Sequence, residues 1–176
     1  MTRTLAVVGL CLAELVIGIL ALTIRAPRAP VLIWNATASA PEGLYRLQAA
    51  RPWKAGDLVA VRPPTGLATW LDARGYVPSG VLLIKQAAAL APARVCRIGD
   101  RITINSAPVA KVRAQDRLSR TLPVWAGCRI LTRDEVFLLN DAEASLDSRY
   151  FGPVNRSAVV GKLTPLWLVP EDRHGR

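Results

Sequence analysis

The segment Leu5–Ile24, LAVVGLCLAELVIGILALTI, runs for twenty residues with Glu14 as its only charge. At about 1.5 Å of rise per residue, a helix of that length spans ~30 Å, the thickness of a bilayer's hydrocarbon core. A stretch this long and apolar either sits in lipid or is removed as a secretory signal, and in both cases it stands apart from the fold that follows. Arg3 precedes the run and Arg25 and Arg28 follow it, so the basic flanks set no orientation. An uncleaved anchor and a cleavable signal both stay open. Glu14 is costly at mid-membrane and either faces a partner helix or is tolerated as a lone charge.

With the run set aside, about 150 of the 176 residues remain, enough for one domain with its own core. We divide the chain into an anchor or signal (1–25), a connector and first strand (26–34), a main domain (35–168) and a polar tail (169–176). The connector APRAP is stiffened by its prolines, and VLIWN after it reads as a short strand. GLYRLQ, GDLVAVRPP, GVLLIKQAAAL, DEVFLLN and SAVVGKLTPLW are β-type runs closed by turn residues. RVCRIGDRITIN holds two more around Gly99-Asp100, a hairpin turn dipeptide. LATWLDARG, Leu67 to Gly75, has helical spacing and a glycine stop. The expected fold is therefore mostly β and antiparallel, with little helix outside the N-terminal hydrophobic segment.

The net charge of +10 comes from 23 basic and 13 acidic residues spread along the chain. A diffuse positive surface suits anionic lipid headgroups, and without zinc-finger spacing, a basic heptad helix or an RNP-type strand no direct nucleic-acid partner is expected. Cys11 lies in the apolar run, which leaves Cys96 and Cys128 as the one possible pair in the domain: a disulfide if the domain is exported, two separate thiols otherwise.

A shortage limits the chemistry. The only histidine is His174, in the tail EDRHGR. A Ser-His-Asp triad needs an imidazole held in a packed site, and a zinc site draws on histidines or clustered cysteines, so the sequence argues against both. Neither GxxxxGK[ST] nor GxGxxG occurs, and no cofactor or metal is expected. A serine nucleophile would then need a different base, and the alternative to histidine is a desolvated lysine. Lys85, in VLLIKQAAALA, is the one lysine embedded in apolar residues. Burial that brings a lysine from ~10.4 to near 7 or 8 costs about 3 to 4 kcal/mol of differential interaction. On residue types alone Lys85 also fits an edge strand's polar face or a snorkelling stem, and Ser39, in NATASAPEGLY, also fits an ordinary turn.

Three segments taken in order resemble the signal peptidase family of serine/lysine proteases, and within it the TraF-type branch of conjugative transfer. NATASAPEGLY resembles the opening box, with Ser39 separated from Pro41 by the single residue Ala40; GVLLIKQAAALAPARVCRIGDRITIN resembles the lysine box, with Lys85 at the lysine position. LLNDAEASLDSRYFGPV resembles the last box, whose S-x-D-S-R-x-x-G pattern falls on Ser145, Asp147, Ser148, Arg149 and Gly152. The resemblance implies a type I signal peptidase-like β domain in which Ser39 is the nucleophile and Lys85 the general base. It further implies that the Ser39 N–H and the Thr37 hydroxyl hold the oxyanion, that Ser145 orients the lysine, and that Asp147 pairs with Arg149 to hold the loop. The implied substrate is a membrane-delivered pilin precursor, cleaved and in some members cyclised, on the periplasmic side of a bacterial inner membrane and alongside conjugation or type IV secretion machinery. S-A-P in place of S-M-x-P, and the missing second domain, separate this chain from the general signal peptidases. A general type I leader peptidase and a non-catalytic, membrane-anchored assembly factor remain the alternatives. A self-cleaving repressor-like protease would need a helix-turn-helix where this chain has its apolar run.

Overall fold

A computed structural model describes residues 12–18, 32–49 and 52–170. Two units make up the chain, Met1–Pro30 and Val31–Arg176. In the first, residues 12–18 form helix α1 with exposed side chains. No helix among the described residues is long and apolar enough to cross a membrane. The rest of the apolar run, and with it the expected anchor or signal, lies outside the described residues, as does the tail beyond residue 170 with His174.

The second unit is built of antiparallel strands. The larger sheet contains β1 (Leu32–Asn35), β2 (Gly43–Gln48), β3 (Leu58–Val61), β4 (Leu83–Leu90), β9 (Glu135–Leu139), β10 (Val154–Asn155) and β11 (Val159–Leu168), in the order β1-β2-β11-β3-β4-β9-β10. The smaller sheet contains β5 (Arg94–Ile98), β6 (Arg101–Ile104), β7 (Ala107–Lys111) and β8 (Gly127–Ile130), in the order β7-β6-β5-β8. Helix α2 (Thr65–Ala73) follows β3, and α3 (Ser148–Phe151) is a single turn after β9. The fold is thus mostly β and antiparallel, as expected. Gly99 and Asp100 join β5 to β6 in a tight hairpin, Ile98 facing Arg101, with Gly99 at φ +60°. The helix read at Leu67 begins two residues earlier, directly after Pro63-Pro64, because proline cannot continue a helix inward but is tolerated at its start.

Strand β9 shows how the core is divided. Its residues alternate sides, so Val136 and Leu138 pack with Val59 and Val61 while Phe137 and Leu139 pack with Val95, Ile102 and Tyr150. In β4 a register shift between Ala87 and Ala89 does the same within one strand: Ala87 joins the first cluster and Ala89 the second. Between the halves of the larger sheet stands β11, which pairs with β2 on one side and β3 on the other. Gly43 opens β2 at φ +150°, where an added Cβ would lie 2.2 Å from the Trp167 carbonyl oxygen, so only glycine lets the two strands close.

Candidate active site

Ser39 sits in the loop between β1 and β2, partly exposed, and the loop's shape is set by Asn35 at the end of β1. Asn35 is buried, and its Nδ2 donates to the carbonyl oxygens of Thr37, Ala40 and Pro41, each at 3.0 Å. Its Oδ1 accepts from the Thr37 N–H at 3.1 Å and the Thr37 hydroxyl at 2.9 Å. One side chain thus ties both sides of Ser39 to a rigid strand end. The Tyr45 hydroxyl, from β2, adds a bond to the Pro41 carbonyl. The Ser39 and Thr37 hydroxyls are 3.1 Å apart. A hydroxyl has one proton, and that of Thr37 is directed to Asn35, so Ser39 is the donor in this pair.

Lys85 lies in β4 opposite Val59, which is fully buried, and is itself only 4% exposed. Its Nζ donates to Ser145 Oγ at 2.7 Å, and no hydrogen bond joins it to Ser39. Burial brings the amine down from 10.5 to about 8; the Asp147 carboxylate opposes this and the Arg149 guanidinium reinforces it. Ser145 is buried, and it shares with Ser39 a cleft of about 570 Å³ whose apolar wall includes Leu122, Leu146 and Tyr150.

The Ser145–Arg149 turn is clamped from within. Arg149 Nε donates to Asp147 Oδ1 at 2.8 Å and its terminal nitrogen to Oδ2 at 3.1 Å, a bidentate pair between two buried side chains. Arg149 also donates to the carbonyls of Glu143 and Asn140, so each of its three nitrogens is hydrogen-bonded. Asp147 caps α3 by accepting from the Arg149 N–H, and it accepts the Asn140 N–H as well. Both hold the carboxylate's lone pairs away from Lys85 and in the loop.

Two residues that the sequence reading passed over complete the frame. Asn140 brackets the lysine: its Nδ2 donates to the Ile84 carbonyl and its Oδ1 accepts the Gln86 N–H, each at 3.0 Å, the neighbours of Lys85 on either side. Asn35 does the same service for the serine loop. Both open or close quoted motifs, but an asparagine's partners are three-dimensional, and its letter alone does not distinguish a hub from a turn. Cys96 and Cys128 face each other on β5 and β8 and are joined, with an S–S distance of 2.08 Å.

Residues 3–167 match the family described as "Signal peptidase, peptidase S26". The conjugal transfer protein TraF of Agrobacterium fabrum is 39% identical over 145 residues, covering 76% of this chain and 80% of that one. A plasmid transfer protein TraF of Escherichia coli is 30% identical over 142 residues, covering 75% and 80%. Among solved structures, a signal peptidase I from Enterococcus faecalis aligns with a TM-score of 0.40 at 22% identity, over 65% of this chain and 98% of that one.

Proposed function

This chain belongs to the signal peptidase S26 family, in its TraF-type branch, and from that premise we propose that it is a serine endopeptidase that uses Ser39 as nucleophile and Lys85 as general base. The observation that carries this reading is the buried Lys85 behind the cleft, hydrogen-bonded to Ser145, which lines that cleft together with Ser39. With an amine near 8, about a tenth of the molecules hold a neutral lysine at pH 7. Its N–H stays with Ser145 while its lone pair is free to take a proton. As the peptide enters, Ser39 turns its hydroxyl from Thr37 to Lys85. The oxygen attacks the substrate carbonyl, Lys85 takes the proton, and the resulting ammonium returns it to the leaving amine, which departs and leaves an acyl-enzyme on Ser39. The oxyanion is met by the Ser39 N–H and, once its hydroxyl swings away from Asn35, by Thr37; such a donor is worth ~3 kcal/mol.

Among the described residues β1 is the end strand of the larger sheet, which supports an extended peptide substrate added as a further strand. Next to it, Trp34 stacks on Trp167 at 5.7 Å, and Leu32, Leu166 and Leu168 are exposed around them. An apolar patch with two indoles suits a bilayer interface. With the apolar run as anchor or signal over 1–25, a connector and first strand over 26–34 and the peptidase over 35–168, the chain is delivered to the membrane and acts on membrane-delivered precursors. The disulfide supports an oxidising compartment, the periplasm. The relatives named for conjugal and plasmid transfer favour a pilin precursor and conjugation machinery over a general leader peptidase role.

The test is co-expression of a pilin precursor with the wild type, Ser39→Ala and Lys85→Ala, following precursor mass. Loss of processing in both variants at normal protein level is the expected result, and the product mass separates hydrolysis from cyclisation. Processing by either variant would refute the pair and favour the assembly-factor alternative.

A further inference from the structure

The clamp on the Ser145–Arg149 turn does not end with that turn. Two donors reach it from outside, one in the segment that leads into β8 and one in β5. Trp125 Nε1 donates to the Ser148 carbonyl at 3.0 Å, its ring meets the buried Phe137 edge-on at 6.0 Å, and its side chain packs over Gly152 at the end of α3. Arg97, buried in β5, donates to the Arg149 carbonyl at 3.1 Å and to the Pro123 carbonyl at 3.2 Å. Adjacent carbonyls of the turn are thus held by Trp125 and Arg97, and the disulfide joins the two segments that carry them. Arg97 follows Cys96 directly; Trp125 stands three residues before Cys128. Strand β8 is an edge strand whose four residues are all exposed, so little apolar burial holds it to β5 beyond the ladder and the covalent bond.

We infer that Trp125 and Arg97 are positioning residues for the turn that presents Ser145 to Lys85, and that the Cys96–Cys128 bond keeps them in place, so that a dithiol lowers peptidase activity without touching the cleft. This rests on the serine/lysine reading above. In the reduction the dithiol's thiolate attacks one cysteine sulfur and releases the other as a thiol; its second thiol then closes a ring and releases the first. The protein gains two thiols and the reagent becomes a cyclic disulfide. With only the ladder left to hold β8, the segment carrying Pro123 and Trp125 loosens, the Ser148 carbonyl keeps the Gly152 N–H but loses the Trp125 donor, and Ser145 no longer holds the Lys85 amine in one direction.

The experiment uses the full chain in detergent with an internally quenched peptide carrying Ala on the acyl side of the scissile bond. It compares the wild type before and after dithiothreitol with Trp125→Phe, which keeps the ring contact and the disulfide but removes the N–H. Alkylation and mass establish reduction, by three labelled cysteines in place of one. The expected result is that reduction and Trp125→Phe each lower kcat about fivefold, the equivalent of one hydrogen bond, with KM unchanged, and that their effects do not add. Wild-type kcat in Trp125→Phe, or in the reduced wild type, overturns the inference, as does a rise in KM alone. If reduction unfolds the chain, the oxidised Trp125→Phe decides by the same criterion. A wild type that never cleaves, oxidised or reduced, overturns both this inference and the peptidase reading; cleavage that ignores both perturbations overturns this one only.

Discussion

Replacing Lys85 by methionine should make the protein more stable at neutral pH while removing its activity. Burial lowers the folded-state pKa of Lys85 from 10.5 to about 8, a difference of about 3 kcal/mol. At pH 7 both folded and unfolded chains hold the proton, so the folded state bears that whole cost. As pH rises through 8 the folded lysine loses its proton while the unfolded one keeps it, and stability increases with pH until about 10.5, where both are neutral. Methionine fills the same space without a charge, but it forfeits the bond to Ser145, worth ~1 kcal/mol. The variant is therefore expected to exceed the wild type by about 2 kcal/mol near pH 6.5, and the gap should close almost completely by pH 9.5, where the wild type has regained ~2 kcal/mol. Urea unfolding of both full chains in detergent, followed by tryptophan fluorescence at the two pH values, measures this difference, and groups common to both chains cancel. A variant less stable than the wild type at pH 6.5, or a gap independent of pH, would refute the claim that Lys85 is held in the folded state against a desolvation cost.

Three further outcomes follow from the same geometry. The kcat/KM of the wild type should rise with pH and level off above about 8, and Lys85→Arg should stay inactive throughout, because a guanidinium cannot become a neutral base. Asp147→Asn or Arg149→Met should each cost about 3 to 5 kcal/mol, since each strands a buried charge or its hydrogen-bonding partner, whereas the double replacement should cost less than the sum; unfolding midpoints in a double-mutant cycle measure it. Asn35→Ala should lower stability by roughly 2 kcal/mol and depress kcat more than KM in steady-state assays, because the carbonyls on both sides of Ser39 lose a shared donor.

Much of the fold could be read from local pattern, and the exceptions have physical causes. Strands with clean alternation or a full apolar run, such as EVFLL and LIKQAAAL, were legible because burial imposes their composition. β7 (APVAK) and β8 (GCRI) were not, because every residue of β8 and most of β7 faces outward, so no apolar period marks them. The single turn α3 is too short to carry a period at all. At the site, the apolar setting of Lys85 was compatible with burial but also with an edge strand's polar face, and only the pairing of β4 between β3 and β9 decides for burial. The lysine's partner Ser145, sixty residues away in the chain, was named by the family resemblance and not by any local pattern. Nothing in the sequence marks Arg97 or Trp125, because their partners, the Arg149 and Ser148 carbonyls, are brought to them only by the fold.

The position of β11 sets an order in time. β1 and β2 frame Ser39, β3 and β4 carry Lys85, and within the larger sheet these two groups are bridged only by β11, which is made after all of them. While the chain is being synthesised, Ser39 and Lys85 therefore belong to separate strand pairs with no ladder between them, and the pairing that unites them spans more than a hundred residues. On the serine/lysine reading proposed above, a nascent or truncated chain that stops before Val159 lacks the strand that joins the two halves of the site, and is expected to be inactive until β11 is inserted.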